Sequence, residues 1–137
     1  LGKAHPIPGV ADVLQYVKSS NAQIWVVTGS GQLTLIDYLQ LVFPGIFLRD
    51  RMITALDVTH GKPDPEPYLK AWERSGLKKE HCVVIENAPL GIRSGKAAGL
   101  TVYAVNTGIL TKEDLAQADK VFDNMTELLA FLQEDNL

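Results

Sequence analysis

Three short polar clusters in this 137-residue chain carry the side chains needed to hold a phosphoryl group and a hard cation. The first is Thr28-Gly29-Ser30, directly after the apolar run Ile24-Trp25-Val26-Val27. The second is Gly61-Lys62-Pro63-Asp64-Pro65-Glu66-Pro67-Tyr68, in which a lysine leads into a proline-braced helix start. The third is Glu86-Asn87, which closes the run Val83-Val84-Ile85 and precedes Ala88-Pro89-Leu90-Gly91. Each cluster stands where the chain enters or leaves an ordered element. In open α/β sheets, ligands collect at the carboxyl ends of strands.

The residue types fit that placement. Backbone N–H groups at a helix start attract anions, the Thr28 hydroxyl adds a donor, and Gly29 lets backbone approach a phosphate closely. Ser30 can equally serve as the cap of a helix running through Leu33. Pro63, Pro65 and Pro67 restrict the backbone and present the Lys62 ammonium from a stiff platform. Lys62-Pro63 is also a candidate cis bond, since X-Pro peptides have only a small trans preference. Glu86 and Asn87 offer oxygen ligands of the kind Mg²⁺ takes directly or through its retained waters. His5, His60 and His81 share no metal-ligand spacing. Asp57 and Asp64 suit capping or turn roles, and Trp25 and Trp72 read as core.

The elements that must position these groups follow from the apolar pattern. Val10, Val13, Leu14 and Val17 form a helical stripe after Pro8-Gly9, and Leu35, Ile36, Leu39 and Val42 form a second, stopped at Pro44-Gly45. Strands are expected at Ile24 to Val27, Met52 to Val58, Cys82 to Ile85 and Thr101 to Val105. Helices are expected from Pro65 to near Gly76, with Leu69 and Trp72 facing inward, and from Pro89 through Ala98 to Gly99. Thr111 with Asp114, and Asn124 with Glu127, have capping-box spacing. About four strands alternating with about six helical segments predict an α/β fold with a mostly parallel sheet, in a single domain.

Composition excludes several function classes. A hydrophobic content of 46% with 21% charged residues is ordinary for a globular domain. A net charge of −3 with scattered Lys and Arg argues against nucleic acid and anionic membrane as partners. No apolar run approaches the roughly 18 residues of a membrane span. The single Cys82 cannot form an internal disulfide and opens an apolar run, which suits a buried structural thiol in a cytoplasmic protein.

Thr28, Lys62 and Glu86-Asn87, each with its flanking residues, resemble the second, third and fourth motifs of the haloacid dehalogenase superfamily. Gly61-Lys62-Pro63-Asp64-Pro65 and Val84-Ile85-Glu86-Asn87-Ala88-Pro89-Leu90-Gly91-Ile92 look most like the β-phosphoglucomutase-like subgroup of mutases, small-molecule phosphatases and a pyrophosphatase. Val26 to Gly31 and Val105-Asn106-Thr107-Gly108 look closer to its phosphohydrolase members. The resemblance implies a Rossmann-like core and an Mg²⁺-dependent mechanism in which an Asp attacks phosphorus and a second Asp, two residues on, acts as acid and base. Thr28, with Gly29 and Ser30, would bind the phosphoryl oxygens. Lys62 would neutralise charge on nucleophile and phosphoryl group, while Glu86 and Asn87 would help hold Mg²⁺.

Two departures stand out. Asn87 occupies a position where the family more commonly has Asp, so weaker metal affinity is expected. No strand in this sequence ends in Asp-x-Asp. The first, central strand that would carry it, and the cap that follows, are therefore expected to lie outside these residues. In the family that strand runs between those ending at Thr28 and Glu86. Its place is expected to be filled by an N-terminal segment, by a second subunit, or by direct pairing of the flanking strands. The resemblance thus implies the C-terminal part of a phosphohydrolase acting on a small phosphorylated metabolite or pyrophosphate, inactive by itself. A β-phosphoglucomutase-type mutase is the alternative within enzymes, and a non-catalytic phosphate-binding or interaction module the alternative outside them.

Overall fold

The computed structural model describes residues 8–31, 35–108 and 110–134, without the side chain of Ile36. The chain is α/β with parallel pairing throughout its described strands. β1 (Val26–Val27) pairs with β2 (Met52–Ile53), and β3 (Val83–Glu86), β4 (Thr101–Val105) and β5 (Lys120–Phe122) form a second sheet in that order. In register, Val84 faces Val102, Glu86 faces Ala104, and Val105 faces Phe122. The helices are α1 (Val10–Ser19), α2 (Leu35–Val42), α3 (Glu66–Ser75), α4 (Pro89–Ala97) and α5 (Met125–Gln133).

Each helix buries the stripe its sequence supplies. Val13 of α1 meets Met125, Leu128 and Leu132 of α5, with Phe122 and Val105 beneath them. The rings of Tyr103, Phe122 and Phe131 extend this core with centroids 5.3 to 5.9 Å apart. A second core joins Tyr68 of α3 and Ile92 of α4 to Val84, Val102 and Ala104 of the sheet, and Val27 of β1 packs on it from the other sheet. Gly95 makes the α4 contact close: a Cβ there would lie 2.7 Å from Val102 Cγ2. Burying a side chain such as Ile92 or Leu128 contributes about 1.5–3 kcal/mol. These cores therefore hold the strand ends in place.

Several expectations need correction. The strand expected over Met52 to Val58 ends at Ile53, because Thr54 and Asp57 close a capping box around a 3₁₀ turn, Ala55–Asp57. There the Thr54 N–H donates to Asp57 Oδ2 at 2.7 Å, and the Leu56 N–H donates to Thr54 Oγ1 at 3.1 Å. The first strand shortens to two residues, and the third moves on by one to include Glu86. β5 has only three residues, too few for an alternation signal. Thr111 and Asp114 make their reciprocal bonds around turns rather than a helix, whereas Asn124 caps α5 through the Glu127 N–H at 2.9 Å. Leu69 and Trp72 do pack against the core, half-buried, and Pro67, Tyr68 and Ala71 are the fully buried residues of α3 beside them. Leu33 and His5 lie outside the described residues.

The two sheets meet without pairing: among the described residues, β1 bonds β2 and β3 bonds β4. Direct pairing of the strands ending at Thr28 and Glu86 is therefore not adopted. Among the described residues, no helix is long and apolar enough to cross a membrane.

Candidate active site

Lys62 precedes α3 in a loop tied down from both sides. The Glu66 carboxylate, in the first turn of α3, accepts the backbone N–H groups of Thr59 (2.7 Å) and His60 (3.1 Å). Those bonds, the Thr59 one first, hold the Glu66 carboxyl below its usual range. Asp64 Oδ1 accepts the Glu66 N–H at 2.9 Å, and the fully buried Ser94 hydroxyl of α4 donates to the Asp64 carbonyl at 2.6 Å. The Lys62-Pro63 bond is cis. From this loop the Lys62 ammonium donates to the Val27 carbonyl of β1 (3.1 Å) and to Glu86 Oε1 of β3 (2.5 Å). It thus bridges the two sheets.

Glu86 is buried, 8% exposed, at the end of β3. Its Oε1 also accepts the Tyr68 hydroxyl at 2.5 Å. Burial, then the charge of Glu86 and the bond to it, push the Tyr68 phenol far above its ordinary pKa. The Tyr68 ring lies under the ammonium, with Lys62 Nζ 5.1 Å from its centroid. Gly91 completes the cradle: a Cβ at this position would sit 2.0 Å from Glu86 Cδ.

Thr28 ends β1 with its N–H on the Ile53 carbonyl (2.9 Å). Thr28 and Gly29 line a cavity of about 230 Å³ with Lys62, Gly61, Ala55, Val58, Thr59 and Pro67. Ser30 closes the turn: its N–H donates to Thr28 Oγ1 (3.1 Å) and its carbonyl accepts from Ala55 (3.3 Å). Its N–H is thus engaged by Thr28 Oγ1, and a Cβ at Gly29 would meet nothing within 4 Å.

Asn87 is exposed beside Glu86, and its amide donates to Thr107 Oγ1 at 3.2 Å in the loop after β4. No group of three His, Cys, Asp or Glu side chains converges as a metal cluster among the described residues. The donor set is one amide oxygen and one carboxylate whose Oε1 already serves Lys62 and Tyr68. Such hard oxygens suit Mg²⁺ in kind, and Mg²⁺ commonly takes only one or two protein ligands plus waters and substrate phosphate.

The structure thus brings Thr28, Gly29 and Lys62 around one cavity and joins Lys62 to Glu86, with Asn87 adjoining. Glu66, Tyr68, Gly91 and Thr107 lie inside the quoted motifs, yet their parts were not assigned from sequence; Ser94 was not singled out at all. A buried Tyr two residues after a helix start beside a strand-end Glu is the signal that could have found Tyr68. Cys82 is half-buried, its thiol pushed up by burial and donating to the Lys78 carbonyl at 3.4 Å, as suits a structural thiol.

A haloacid dehalogenase-like hydrolase family model matches residues 1–99. Hexitol phosphatase A of Escherichia coli is 31% identical over 122 residues, covering 89% of this chain and 55% of that protein. Glycerol-1-phosphate phosphohydrolase 1 of Saccharomyces cerevisiae is 36% identical over 114 residues, covering 74% of this chain and 43% of that one. A Bacteroides vulgatus structure, provisionally described as a beta-phosphoglucomutase, superposes with a TM-score of 0.87 at 43% identity, covering 96% of this chain and 55% of that chain. The chain spans about half the length of the curated relatives it matches. With a family model matching residues 1–99, phosphatase relatives above 30% identity and this structural likeness, the chain belongs to the haloacid dehalogenase-like hydrolase family, among its β-phosphoglucomutase-like members.

Proposed function

We propose that this chain is the C-terminal part of the core of a phosphohydrolase that removes phosphate from a small phosphorylated polyol or sugar. The observation that carries this reading is the Lys62 ammonium, fixed between Val27 and Glu86 at the rim of the cavity that Thr28 and Gly29 share. Two of the three ammonium donors are used within the described residues, leaving one for a phosphoryl oxygen. The Thr28 hydroxyl supplies a second donor from the end of β1. Both are preorganised by packing, which is what stabilises charge on a transferring phosphoryl group.

In this reading the nucleophilic Asp comes from a strand outside these residues, in the space between β1 and β3. An N-terminal segment of the same protein or a second subunit would supply it. Its carboxylate forms the O–P bond as the ester O–P bond breaks. The second Asp protonates the leaving alkoxide and then takes a proton from the water that hydrolyses the aspartyl phosphate. Lys62 offsets the negative charge where nucleophile and phosphoryl group meet. Mg²⁺, when bound, supplies further charge compensation on the phosphoryl oxygens. The Asn87 amide oxygen and the second Glu86 oxygen would hold it directly or through water. The cytoplasm, where a lone thiol stays reduced, is the proposed place of action.

The curated relatives' names, a hexitol phosphatase and a glycerol-1-phosphate phosphohydrolase, support a polyol phosphate over pyrophosphate as substrate. The likeness to the Bacteroides vulgatus structure favours a second reading, a β-phosphoglucomutase. Assaying the intact protein with Mg²⁺ on polyol phosphates and on β-glucose 1-phosphate separates the two. Released phosphate, lost in Lys62→Ala, is the expected result; glucose 6-phosphate without free phosphate would establish the mutase. Equal activity in Lys62→Ala would sink both. The 137-residue chain alone is expected to bind phosphate and Mg²⁺ weakly and to turn nothing over.

A further inference from the structure

We propose that Tyr68 is a positioning residue for Lys62, acting through Glu86, and that it sets how well the site holds a phosphoryl group. The proposal rests on the reading of Lys62 as the phosphoryl-binding ammonium. Tyr68 touches the lysine by two routes. Its ring lies 5.1 Å from Nζ, and its hydroxyl donates to the same Glu86 oxygen that Lys62 uses, each bond 2.5 Å long.

The geometry explains why that hydroxyl matters. Glu86 closes a strand and reaches Lys62 across the space between two sheets that do not pair with each other. Without that hydroxyl the carboxylate would be held by the Lys62 ammonium on Oε1 and only by the longer Asn87 N–H bond, 3.3 Å, on Oε2, which leaves its last torsion room to turn and carry the ammonium with it. A second donor on Oε1, from the buried face of α3, fixes that oxygen. The close approach of Gly91 removes the room on the opposite side. Lys62 is then pinned to Val27 on one side and to an immobile carboxylate on the other, so its remaining donor points in one direction. The hydroxyl also disperses part of the Glu86 charge. This leaves the ammonium more of its own field for an incoming anion.

The test titrates inorganic phosphate into the 137-residue chain, with the backbone amides of residues 28–30 and 61–62 as readout for wild type, Lys62→Ala and Tyr68→Phe, and with the Lys62 side-chain ammonium and ¹³Cε resonances added for the two that keep the lysine. Tyr68→Phe keeps the ring and its packing and removes only the hydroxyl. The expected result is loss of phosphate binding in Lys62→Ala and an affinity about five- to tenfold weaker in Tyr68→Phe, the scale of one charge-assisted hydrogen bond partly lost. The Lys62 resonances should also shift or broaden in Tyr68→Phe without phosphate, while the backbone amides of β3, β4 and α4 stay in place, which a merely structural loss would move as well. Unchanged affinity and unchanged Lys62 resonances in Tyr68→Phe, alongside a dead Lys62→Ala, overturn the Tyr68 proposal alone. Undiminished binding in Lys62→Ala overturns the underlying reading and the proposal with it. Should Tyr68→Phe not fold, the wild-type chain decides. A Tyr68 hydroxyl proton that is slow to exchange and moves with phosphate supports the proposal, and one that exchanges freely contradicts it.

Discussion

Lys62 Nζ and Glu86 Oε1 lie 2.5 Å apart, although 24 residues separate them in sequence and each belongs to a different part of the sheet architecture. The contact ties the loop before α3 to the end of β3. It makes Glu86 the counter-ion of the lysine. The side chains are 21% and 7% exposed, so the pair is shielded from water.

Removing one member of such a pair strands the other in a buried site. Lys62→Met should cost about 3 kcal/mol of stability, softened by the Tyr68 hydroxyl that remains on Glu86. That corresponds to a fall of about 10 °C in Tm for a chain of this size. Urea unfolding measures it; a loss below about 1 kcal/mol would mean that the pair is solvated in solution.

Gly91→Ala sets two effects against each other. Alanine favours the helix over glycine by about 1 kcal/mol. The new Cβ would also meet the Glu86 carboxylate at 2.0 Å and push it off Lys62 and Tyr68. Bonds to a charged group are worth about 1.5–3 kcal/mol. A net loss of about 1–2 kcal/mol is expected, with weakened phosphate binding. A stabilised variant with intact binding would show that the carboxylate finds another position at no cost.

Acid should loosen the loop that carries the site's far wall. Asp57 accepts the Thr54 N–H and hydroxyl and faces Arg74 and Lys70, and the Thr54 backbone bond is the main cause of its lowered pKa. A carboxyl whose folded pKa is depressed stabilises fully above its unfolded value near 4. That contribution is lost as pH falls through the lower folded value. Melting temperature against pH should therefore drop more steeply below about pH 4 in wild type than in Asp57→Asn. Parallel curves would exclude Asp57 from the acid response.

Asn87→Asp restores a negative charge beside Glu86 and can still meet Thr107, as acceptor instead of donor. Mg²⁺ affinity should rise about tenfold, since ligand charge tunes hard-cation binding. The backbone amides of residues 87 and 107 report it in a Mg²⁺ titration. No change in affinity would remove position 87 from the cation's surroundings.

Much of this was legible in sequence because it is local. The helical stripes of α1, α2 and α5 and the apolar runs before Thr28 and Glu86 fix element type and strand polarity, and polarity alone collects the strand ends at one rim. The cis Lys62-Pro63 bond and the capping of α5 by Asn124 follow from neighbouring residues as well. What the sequence could not convey is register between distant elements. Lys62 was expected on phosphate and Glu86 on a cation, whereas their partnership, and Tyr68 beside it, depends on how α3 seats against β3. The short β2 is a local contest instead: Met52-Ile53 reads as the start of a strand, but the Thr54–Asp57 box three residues apart wins because it satisfies two backbone donors at once.

The central claim is that the rim formed by Thr28, Gly29 and Lys62 receives a phosphoryl group. Mapping backbone amide shifts as inorganic phosphate and Mg²⁺ are added to the 137-residue chain tests it most directly. Saturable shifts centred on residues 28–30, 61–62 and 86–87, abolished in Lys62→Ala, are the expected result. Shifts centred elsewhere, such as the separate cavity of about 350 Å³ beside Arg93 and Asp114, or shifts at the rim indifferent to Lys62, would contradict it.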